Sequence, residues 1–325
     1  MTKPRKTLAL IYGGRGYESE VSLHGAENIR PIIEKNYNCL PIFIDKEGRW
    51  LAYEKEVFPF KQGFFCPKSS EHFKCDCAIP LLHGDFGEDG IVQGALECAS
   101  IPYVGCRSTV GAVCRDKALL KVVAGELNIP TLPYLIAKRG EKIIERAEAE
   151  IGYPMFVKPT CLGSSVGASP ARDRGELVFA LKNACALSER VMIERLLEPK
   201  RELECGYFRA KSKELFTKCG EILTGGEFYD YDSKYKNCTE AVAGADVKPW
   251  VNERVREYSG WLVSRLGIDG LCRIDFFLSG EDIYFNEINT MPGMTKTSLY
   301  MKMLSAEGIS PERMIELLVL DAVGR

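Results

Sequence analysis

Several features that commonly direct interpretation are missing from this chain of 325 residues. The formal net charge is only -2, so no field of one sign points to nucleic acid or to a membrane surface as a partner. The apolar run after the basic first residues stops at Tyr12, which is too short for a signal peptide or a membrane span. We therefore expect a cytoplasmic protein that binds neither nucleic acid nor membrane.

Histidine clusters and closely paired cysteines are missing as well. The only histidines are His24, His72 and His83, so the sequence offers no zinc-type cluster. The 13 cysteines are odd in number, mostly scattered singly, and never spaced as CxxC. We expect reduced and mostly buried thiols rather than a disulfide framework.

Strand and helix signals alternate along the chain, without an internal repeat or a low-complexity linker, which predicts an α/β fold. Strands are predicted at 8–12, 40–44, 77–82, 132–137, 202–208, 215–222, 273–278 and 283–288. Helices are predicted at 22–34, 91–99, 110–127, 142–151, 251–266 and 311–322. A length of 325 residues allows two or three domains, and we place three, at 1–107, 108–197 and 198–325.

The most informative segment is the pair of strands at 273–278 and 283–288, which predicts a β-hairpin. Alternation along a strand places Glu287 and Asn289 on one face, with Asp275 able to lie opposite them across the ladder. Two carboxylates and an amide, without His or Cys, are a ligand set for Mg²⁺ or Mn²⁺, and substrate phosphates commonly complete the coordination. The alternative from these residues alone is an ordinary hairpin with a polar outer face.

A second segment predicts phosphate binding. The strand that ends at Lys158 runs into a loop, 160–167, that contains two glycines and two serines. Backbone N–H groups and hydroxyls in such a loop can reach phosphate oxygens while the lysine neutralises charge. No GKS or GKT triplet opens a helix here, so the loop is not a Walker A loop. A flexible surface loop is the alternative, and Lys117 taken alone fits a solvated helix lysine.

The order of these elements resembles that of the ATP-grasp ligases. The matching positions are Lys117, the loop after Lys158, Glu194, Arg273 with Asp275, and Glu287 with Asn289. Four further runs resemble the D-alanine:D-alanine ligases over nearly the whole chain, namely ESEVSL at 18–23, HGDFGEDG at 83–90, FYDYDSKY at 228–235 and NTMPGMT at 289–295. The runs are specific because they occur together and in order.

The resemblance implies a three-domain ATP-grasp architecture with an N-terminal Rossmann-like domain. It also implies a reaction in two steps for peptidoglycan precursor synthesis. ATP, the co-substrate, phosphorylates the carboxylate of a first D-alanine, and the amine of a second D-alanine attacks the acylphosphate to give D-alanyl-D-alanine. Two Mg²⁺ or Mn²⁺ ions and a homodimer are implied as well.

The residues implied for the nucleotide and the metal fall into three groups. The metal ligands would be Asp275, Glu287 and Asn289. The triphosphate would be met by Lys117, Lys158, Lys234 and Ser165. The adenine and ribose would be met by Glu194, Glu202 and the backbone around Leu196 and Leu197.

The residues implied for the amino acids lie in the four matching runs and near them. Glu20 would receive the ammonium of the first D-alanine, and His83 would orient either Glu20 or this substrate. The oxyanion would be stabilised by Arg273 and the N–H of Gly293. The second D-alanine would be held by Ser298, Lys234 and Leu299. A lid over the reaction would be closed by Ser164 and Tyr235.

Simpler interpretations of some of these residues remain open. Glu20 could be a carboxylate in the first turn of a helix, where the helix dipole favours it. His83 could be a hydrogen-bonded core histidine that takes no part in function. The tyrosines at 229, 231 and 235 could form a stacked aromatic surface rather than a lid.

Two departures from the family pattern limit the match. Cys161 and Leu162 stand in the phosphate loop where many relatives have a polar or acidic residue. Lys296 and Thr297 follow Thr295 where the alanine ligases usually have Ser-His, so the departure falls on the second-substrate pocket.

Other functions have also to be weighed against ligation of two D-alanines. D-Serine is an alternative second substrate, as in glycopeptide-resistance ligases, whereas D-lactate fits the Lys234-Tyr235 pair poorly. A Rossmann dehydrogenase lacks support because Ser19 replaces the third glycine of its fingerprint. A non-catalytic nucleotide-binding protein is disfavoured because every expected ligand is present.

Overall fold

The computed structural model describes residues 4–211, 213–223 and 240–324, and all statements below refer to these residues. The helices are α1 Ser19–Asn36, α2 Ile91–Cys98, α3 Ser108–Arg115, α4 Lys117–Glu126, α5 Ile144–Glu150, α6 Arg174–Leu187, α7 Pro249–Leu266, α8 Leu299–Ala306 and α9 Pro311–Ala322. None of the helices in the described part of the chain has the length and apolar character needed to cross a bilayer.

The strands of the N-terminal part of the chain are β1 Thr7–Gly13, β2 Asn38–Ile44, β3 Trp50–Ala52, β4 Lys55–Glu56, β5 Phe58–Pro59, β6 Gly63–Cys66, β7 Glu71–Lys74 and β8 Cys77–Pro80. The remaining strands are β9 Tyr134–Lys138, β10 Met155–Pro159, β11 Ser169–Ala171, β12 Arg190–Arg195, β13 Arg201–Ala210, β14 Lys213–Phe216, β15 Gly220–Leu223, β16 Glu240–Val242, β17 Leu271–Ser279 and β18 Asp282–Asn289.

The first sheet has five strands in the order β4-β3-β2-β1-β8, and β1 pairs in parallel with both β2 and β8. A parallel strand covered on both faces has to be apolar throughout, which explains the fully buried run from Leu8 to Ile11. Ser22 fixes the start of α1 to this sheet. Its hydroxyl accepts a hydrogen bond from the Gly13 N–H (2.8 Å) and donates one to the Leu81 carbonyl (2.5 Å).

Two antiparallel sheets follow. The first has four strands in the order β11-β10-β12-β9 and packs against α5 and α6 in one apolar cluster. The second has six strands, in which β13 and β17 are central neighbours and β18 pairs with β17, and α7 packs on it. Lys158 and Glu194 lie on paired strands of the first sheet, and Asp275 and Glu287 on paired strands of the second.

The C-terminal segment returns to the first sheet. Helix α9 shares one hydrophobic core with β1 and α1, in which Ile29, Ile33 and Met314 are fully buried. The Asn28 amide donates to the Met294 carbonyl (2.7 Å), so the segment before α8 also lies against α1. This return brings the loop that follows β18 next to the N-terminal residues.

Each sheet lies within one of the three predicted domain ranges, while the core shared by α1 and α9 joins the first range to the third. The predicted α/β class is confirmed, and the domain bounds stay a prediction. Every cysteine in the described residues is free, as expected, and Cys238 lies outside them.

Two predicted elements are wrong in detail. The single helix predicted at 110–127 is two helices, because Asp116 has an extended backbone and caps α4 with its side chain, accepting from the N–H groups of Ala118 (2.9 Å) and Leu119 (3.4 Å). The strand predicted at 215–222 is likewise two strands, β14 and β15. Helices α6 and α8 and the short strands β3–β7, β11 and β16 were not predicted.

The break at Asp116 generates a stability prediction. We expect Asp116→Ala to destabilise the protein by about 1 kcal/mol, because the first N–H groups of α4 lose their acceptor. Asp116→Asn is the matched control, since its amide oxygen can still cap the helix. The measurement is the urea midpoint of both variants, and equal midpoints for Ala and wild type would contradict the capping role.

Candidate active site

A cavity of about 720 Å³ lies between the two antiparallel sheets and reaches the loops after β1 and β8. Most of the residues predicted from sequence line it, namely His83, Lys117, Lys158, Ser164, Ser165, Glu194, Leu196, Leu197, Glu202, Arg273, Asp275, Glu287, Asn289, Gly293, Ser298 and Leu299. Glu20 is exposed and does not line the cavity. Lys234 and Tyr235 lie outside the described residues.

The predicted hairpin of β17 and β18 forms, with Asp275 opposite Glu287 and Arg273 opposite Asn289. The register shifts after Asp275, because Phe276 pairs with Phe285 and residue 286 is inserted as a β-bulge. A bulge lets two successive side chains reach the same side of a sheet. Asn286 therefore reaches Lys158, whose Nζ donates to its Oδ1 (3.2 Å), while Glu287 faces Lys117 (3.3 Å).

Asp275 is the most constrained acid of this hairpin. The Arg273 guanidinium donates to both of its carboxylate oxygens (2.8 and 2.7 Å), and Arg273 also pairs with Glu204 (3.3 Å). Burial opposes the charge of Arg273, but Asp275 and Glu204 raise the pKa of Arg273 well above its ordinary value. The guanidinium therefore remains charged and fixed in direction.

These residues fit a hard divalent cation. Asp275 and Glu287 face each other across the ladder, and the Asn289 Nδ2 donates to Asp275 (3.1 Å) without using the amide oxygen. Within the described residues no group of three or more His, Cys, Asp or Glu side chains could hold a metal. The donor set is thus two carboxylates and an amide, which suits an ion that takes its remaining oxygens from a phosphate.

A buried charge network lies at the other wall of the cavity. Glu194 pairs with Lys158 (2.5 Å) and with Lys121 (3.2 Å), and all three side chains are almost completely buried. Burial alone would raise the pKa of Glu194, but the two lysines lower it to about 2. Lys121 is not predicted from the sequence, because its position four residues after Lys117 fits any amphipathic helix.

Lys117 approaches the cavity from the start of α4. Its backbone N–H donates to the Thr160 carbonyl (2.9 Å), and its Nζ donates to the Leu162 carbonyl (2.7 Å). Burial lowers the pKa of Lys117, while the charge of Glu287 opposes this shift. The break at Asp116 and the phosphate loop thus position this lysine together.

The phosphate loop has an unusual backbone. Ser164 (φ 49°), Ser165 (φ 59°) and Gly167 (φ 72°) are all in the left-handed region, which costs energy for the two serines. Backbone bonds from Val166 N–H to Gly163 C=O (3.0 Å) and from Ala168 N–H to Ser165 C=O (3.1 Å) hold this shape. Strain of this kind is concentrated where a loop has to present groups to a ligand.

Apolar side chains line the cavity between the charge network and the hairpin. Phe156 and Phe276 come from β10 and β17, and Leu196 follows β12. The Leu196 N–H donates to the Pro154 carbonyl (2.9 Å), and Glu202 pairs with Lys200 (3.0 Å) at the same end. This pocket can receive a flat apolar ring with polar groups at its edge. The two phenylalanines were not predicted, because nothing in their alternating strands distinguishes them from core residues.

Glu18, rather than Glu20, reaches the cavity. It precedes the first residue of α1, and its carboxylate accepts a hydrogen bond from the Ser164 hydroxyl. Glu20 lies two positions further along, about 200° around a helix, so the two side chains face in opposite directions. No signal in the sequence distinguishes Glu18 from Glu20, because both carboxylates belong to the same run at 18–23.

His83 lies near Glu18 with a defined tautomer. Its Nδ1 donates to the Met291 carbonyl (3.0 Å), which leaves Nε2 as an acceptor. Nε2 is buried and has no hydrogen-bond partner among the described residues. Burial lowers the pKa of His83, so the ring is neutral and its Nε2 can accept a hydrogen bond from a ligand.

The last part of the lining precedes α8. The Ser298 hydroxyl lies 3.0 Å from the Thr295 N–H, from which it accepts, and 2.8 Å from the Thr295 hydroxyl. A Cβ on Gly293 would stand 2.9 Å from the Ser298 oxygen, so a side chain there would displace the Ser298 hydroxyl. Leu299 is buried, whereas Lys296 and Thr297 are exposed at the edge of the cavity.

Two antiparallel sheets that enclose one cavity between them, each offering charged groups from neighbouring strands, form the ATP-grasp arrangement. The class that this fold and cavity define is that of the ATP-dependent ligases. Family models described as D-ala D-ala ligase N-terminus and D-ala D-ala ligase C-terminus match residues 7–106 and 123–320. The chain belongs to the D-alanine–D-alanine ligase family.

Similar proteins match nearly the whole chain. The D-alanine–D-alanine ligase of Caldicellulosiruptor bescii is 35% identical over 99% of this chain and 96% of its own length. D-alanyl-alanine synthetase A from Vibrio cholerae has a TM-score of 0.90 at 30% identity, with 99% of both chains covered. VanG D-Ala:D-Ser ligase from Enterococcus faecalis has a TM-score of 0.89 at 29% identity, covering 98% of this chain and 100% of its own.

The charge network generates the second prediction. We expect Lys121→Met to lower the free energy of unfolding by about 3 kcal/mol, because it removes one of two cations that compensate a buried carboxylate. Since the folded pKa of Glu194 is about 2, its pairing stabilises the protein above pH 4.5 and is lost as the pH falls toward 2.

The matched control for this prediction is Lys121→Arg, which keeps a cation beside Glu194 and leaves Lys158 paired. Urea unfolding at pH 7 should show that Lys121→Arg keeps most of the stability that Lys121→Met loses. If Lys121→Met alone is as stable as wild type, the network does not stabilise the fold as described.

Proposed function

We propose that this protein ligates two D-alanine molecules with ATP, through a D-alanyl phosphate, for peptidoglycan precursor synthesis. One observation carries the proposal. The Ser164 hydroxyl of the phosphate loop donates a hydrogen bond to Glu18. The loop that would bind phosphate therefore lies next to a carboxylate that can receive an ammonium, in the same cavity. A ligase that phosphorylates an amino acid needs this proximity, because phosphoryl donor and acceptor must meet in line.

The first step transfers the γ-phosphoryl group of ATP to a carboxylate oxygen of the first D-alanine, releasing ADP. Lys117 and Lys158 neutralise the charge on the phosphates, and the backbone of the loop around Ser165 holds them. The adenine lies between Phe156 and Phe276, with Glu194 and the backbone of Leu196 and Leu197 at its edge. Glu202 meets the ribose.

Glu18 and His83 bind the ammonium of the first substrate. The Glu18 carboxylate supplies charge, and the buried Nε2 of neutral His83 supplies an acceptor that an ammonium proton satisfies. This assigns to Glu18 the role that the resemblance gave to Glu20, because Glu20 is outside the cavity. A satisfied core histidine would not leave Nε2 buried beside an amine site.

In the second step the amine nitrogen of the second D-alanine attacks the acylphosphate carbon. A tetrahedral intermediate forms, the C–O bond to phosphate breaks, and the amine loses a proton. Arg273 and the Gly293 N–H stabilise the oxyanion, since both lie on the cavity wall and Arg273 is fixed by Asp275. Lys234 and Tyr235 are proposed, from the family resemblance, to close over this intermediate.

Asp275, Glu287 and Asn289 would hold Mg²⁺ or Mn²⁺. When bound, the ions would supply Lewis-acid charge that polarises the phosphoryl oxygens. The protein residues do the rest of the positioning, because the Asn286 bulge fixes Glu287 toward Lys117 and the paired strands fix Asp275. A homodimer is proposed on family resemblance alone.

D-Serine is the second candidate for the second substrate, and Thr297 favours it. Leu299 offers an apolar surface to a methyl group and no partner to a hydroxyl, whereas Thr297 lies at the edge of the same pocket and carries one. An unpaired buried hydroxyl costs roughly 1 to 3 kcal/mol, which corresponds to a preference of about tenfold to a hundredfold for D-alanine. Ser298 holds the carboxylate in either case.

A direct competition tests the proposed function. We expect ATP and Mg²⁺ with D-alanine to release phosphate and to form D-alanyl-D-alanine, and a mixture of equal D-alanine and D-serine to yield mainly the same product. Mass spectrometry of the dipeptides measures the ratio. Mainly D-alanyl-D-serine would reverse the assignment, and Thr297→Val should then restore D-alanine. No phosphate release with any D-amino acid would refute ligation.

The hairpin generates the fourth prediction. Glu287→Gln should fold normally and lose nearly all turnover, because one carboxylate fewer leaves phosphate charge uncompensated at a cost of several kcal/mol. Glu281→Gln, on the exposed turn of the same hairpin, is the matched control and should keep its rate. The measurement is the rate of phosphate release at saturating Mg²⁺. If Glu287→Gln turns over at the wild-type rate, the metal assignment is excluded.

A further inference from the structure

Arg115 is a buried cation in the cavity lining that the two steps above do not use. It is the last residue of α3, and its side chain is only 11% exposed. Its Nη2 donates to Asp85 (2.8 Å), and its Nη1 lies 3.8 Å from Glu88. The Nε is buried and has no hydrogen-bond partner within the described residues. A guanidinium held in this way is costly to bury, so its surroundings have to compensate it.

Its surroundings are the acids of the ammonium site. Asp85 and Glu88 come from the loop after β8, and Glu18 comes from the start of α1. A Cβ built on Gly163 would lie 3.0 Å from an Arg115 nitrogen and 3.1 Å from a Glu18 oxygen. The guanidinium and the Glu18 carboxylate therefore both lie close to Gly163 of the phosphate loop.

The geometry leads us to propose that Arg115 is a positioning residue for the first amino acid. It compensates Asp85 and Glu88, and it fixes their loop against the phosphate loop, so that Glu18 is the carboxylate left to receive the substrate ammonium. The inference rests on the proposed function, because it assumes that an amino acid binds at Glu18. It assigns to this chain a cation–carboxylate cluster that orients the substrate without touching it.

The net charge of the cluster around Arg115 changes with pH because Glu88 titrates. Burial raises the pKa of Glu88 to about 7, the charge of Glu18 raises it as well, and Arg115, the Gly84 N–H and Arg273 oppose the rise. His83 faces the same space as a neutral ring. As the pH falls through 7, Glu88 takes up a proton, the cluster loses negative charge, and the ammonium is held less tightly.

Removal of the Arg115 guanidinium should shift the pH dependence of substrate binding toward higher pH. Arg115→Met removes the nearest cation, so the pKa of Glu88 rises and the acid limb of kcat/KM for the first D-alanine moves up by about one to three pH units. The KM for that substrate rises about tenfold to a hundredfold, because its orientation is lost. The KM for ATP should change less than threefold, since Lys117 and Lys158 are intact.

The experiment compares pH profiles of phosphate release for wild type, Arg115→Met, Arg115→Lys and Arg115→Met with Glu88→Gln. Arg115→Lys keeps the charge, so its acid limb should lie at the same pH as in wild type. Its KM for the first D-alanine should lie between the values of wild type and Arg115→Met. Arg115→Met with Glu88→Gln has no carboxyl to titrate at position 88, so its kcat/KM profile should lack this acid limb. Arg209→Met is the matched control, because Arg209 forms an exposed ion pair with Asp269 and should leave the profile unchanged.

The outcomes separate the two proposals. If wild type makes no D-alanyl dipeptide, the proposed function fails, whatever the variants do. If wild type makes it and Arg115→Met leaves both the limb and the first-substrate KM unchanged, the role of Arg115 is refuted. A variant that loses thermal stability and raises both KM values without moving the limb shows a purely structural arginine, which also refutes the proposal.

Discussion

Compensation of buried charge is the constraint on which this cavity depends. Lys121, Lys158 and Glu194 are nearly inaccessible to water, and a lone charge at any of these positions would cost several kcal/mol. Each therefore has an opposite charge on a neighbouring element, from α4, β10 and β12. The sheets are joined by a hydrogen bond from Lys158 to Asn286 on the other sheet (3.2 Å). The cations that would serve the chemistry therefore also link the walls of the cavity.

This compensation has a consequence for ligand binding. Lys117 and Lys158 already have acceptors in the protein, Leu162 and Glu287 for the first and Glu194 and Asn286 for the second. A phosphate entering the cavity thus exchanges partners with groups that are preorganised, rather than ordering flexible side chains. Preorganised cations cost little reorganisation when charge moves in a transition state, which is how electrostatic stabilisation acts in an enzyme.

Much of this arrangement could be predicted from the sequence, because its signals are local. The hairpin of β17 and β18 follows from alternation and a tight turn, and the phosphate loop follows from glycines and serines after a strand. The family resemblance supplied the order of the remaining positions. What could not be predicted depends on backbone irregularity or on distant contacts. The bulge at Asn286 breaks the alternation that the prediction used, and Asp116 caps a helix inside a run of uniform helical pattern.

The proposed assignment of Glu18 in place of Glu20 shows why such details matter for a site. Both glutamates lie in one six-residue run, and no property of the run distinguishes them, since either could serve an ammonium. The distinction comes from where α1 begins, which Ser22 sets by bonding to Gly13 and Leu81 on the first sheet. Glu18 thus faces the cavity because a serine hydroxyl four residues later is tied to β1 and to the end of β8. Which of the two glutamates faces the cavity is therefore a property of the packed sheet, and it has to be read from tertiary structure.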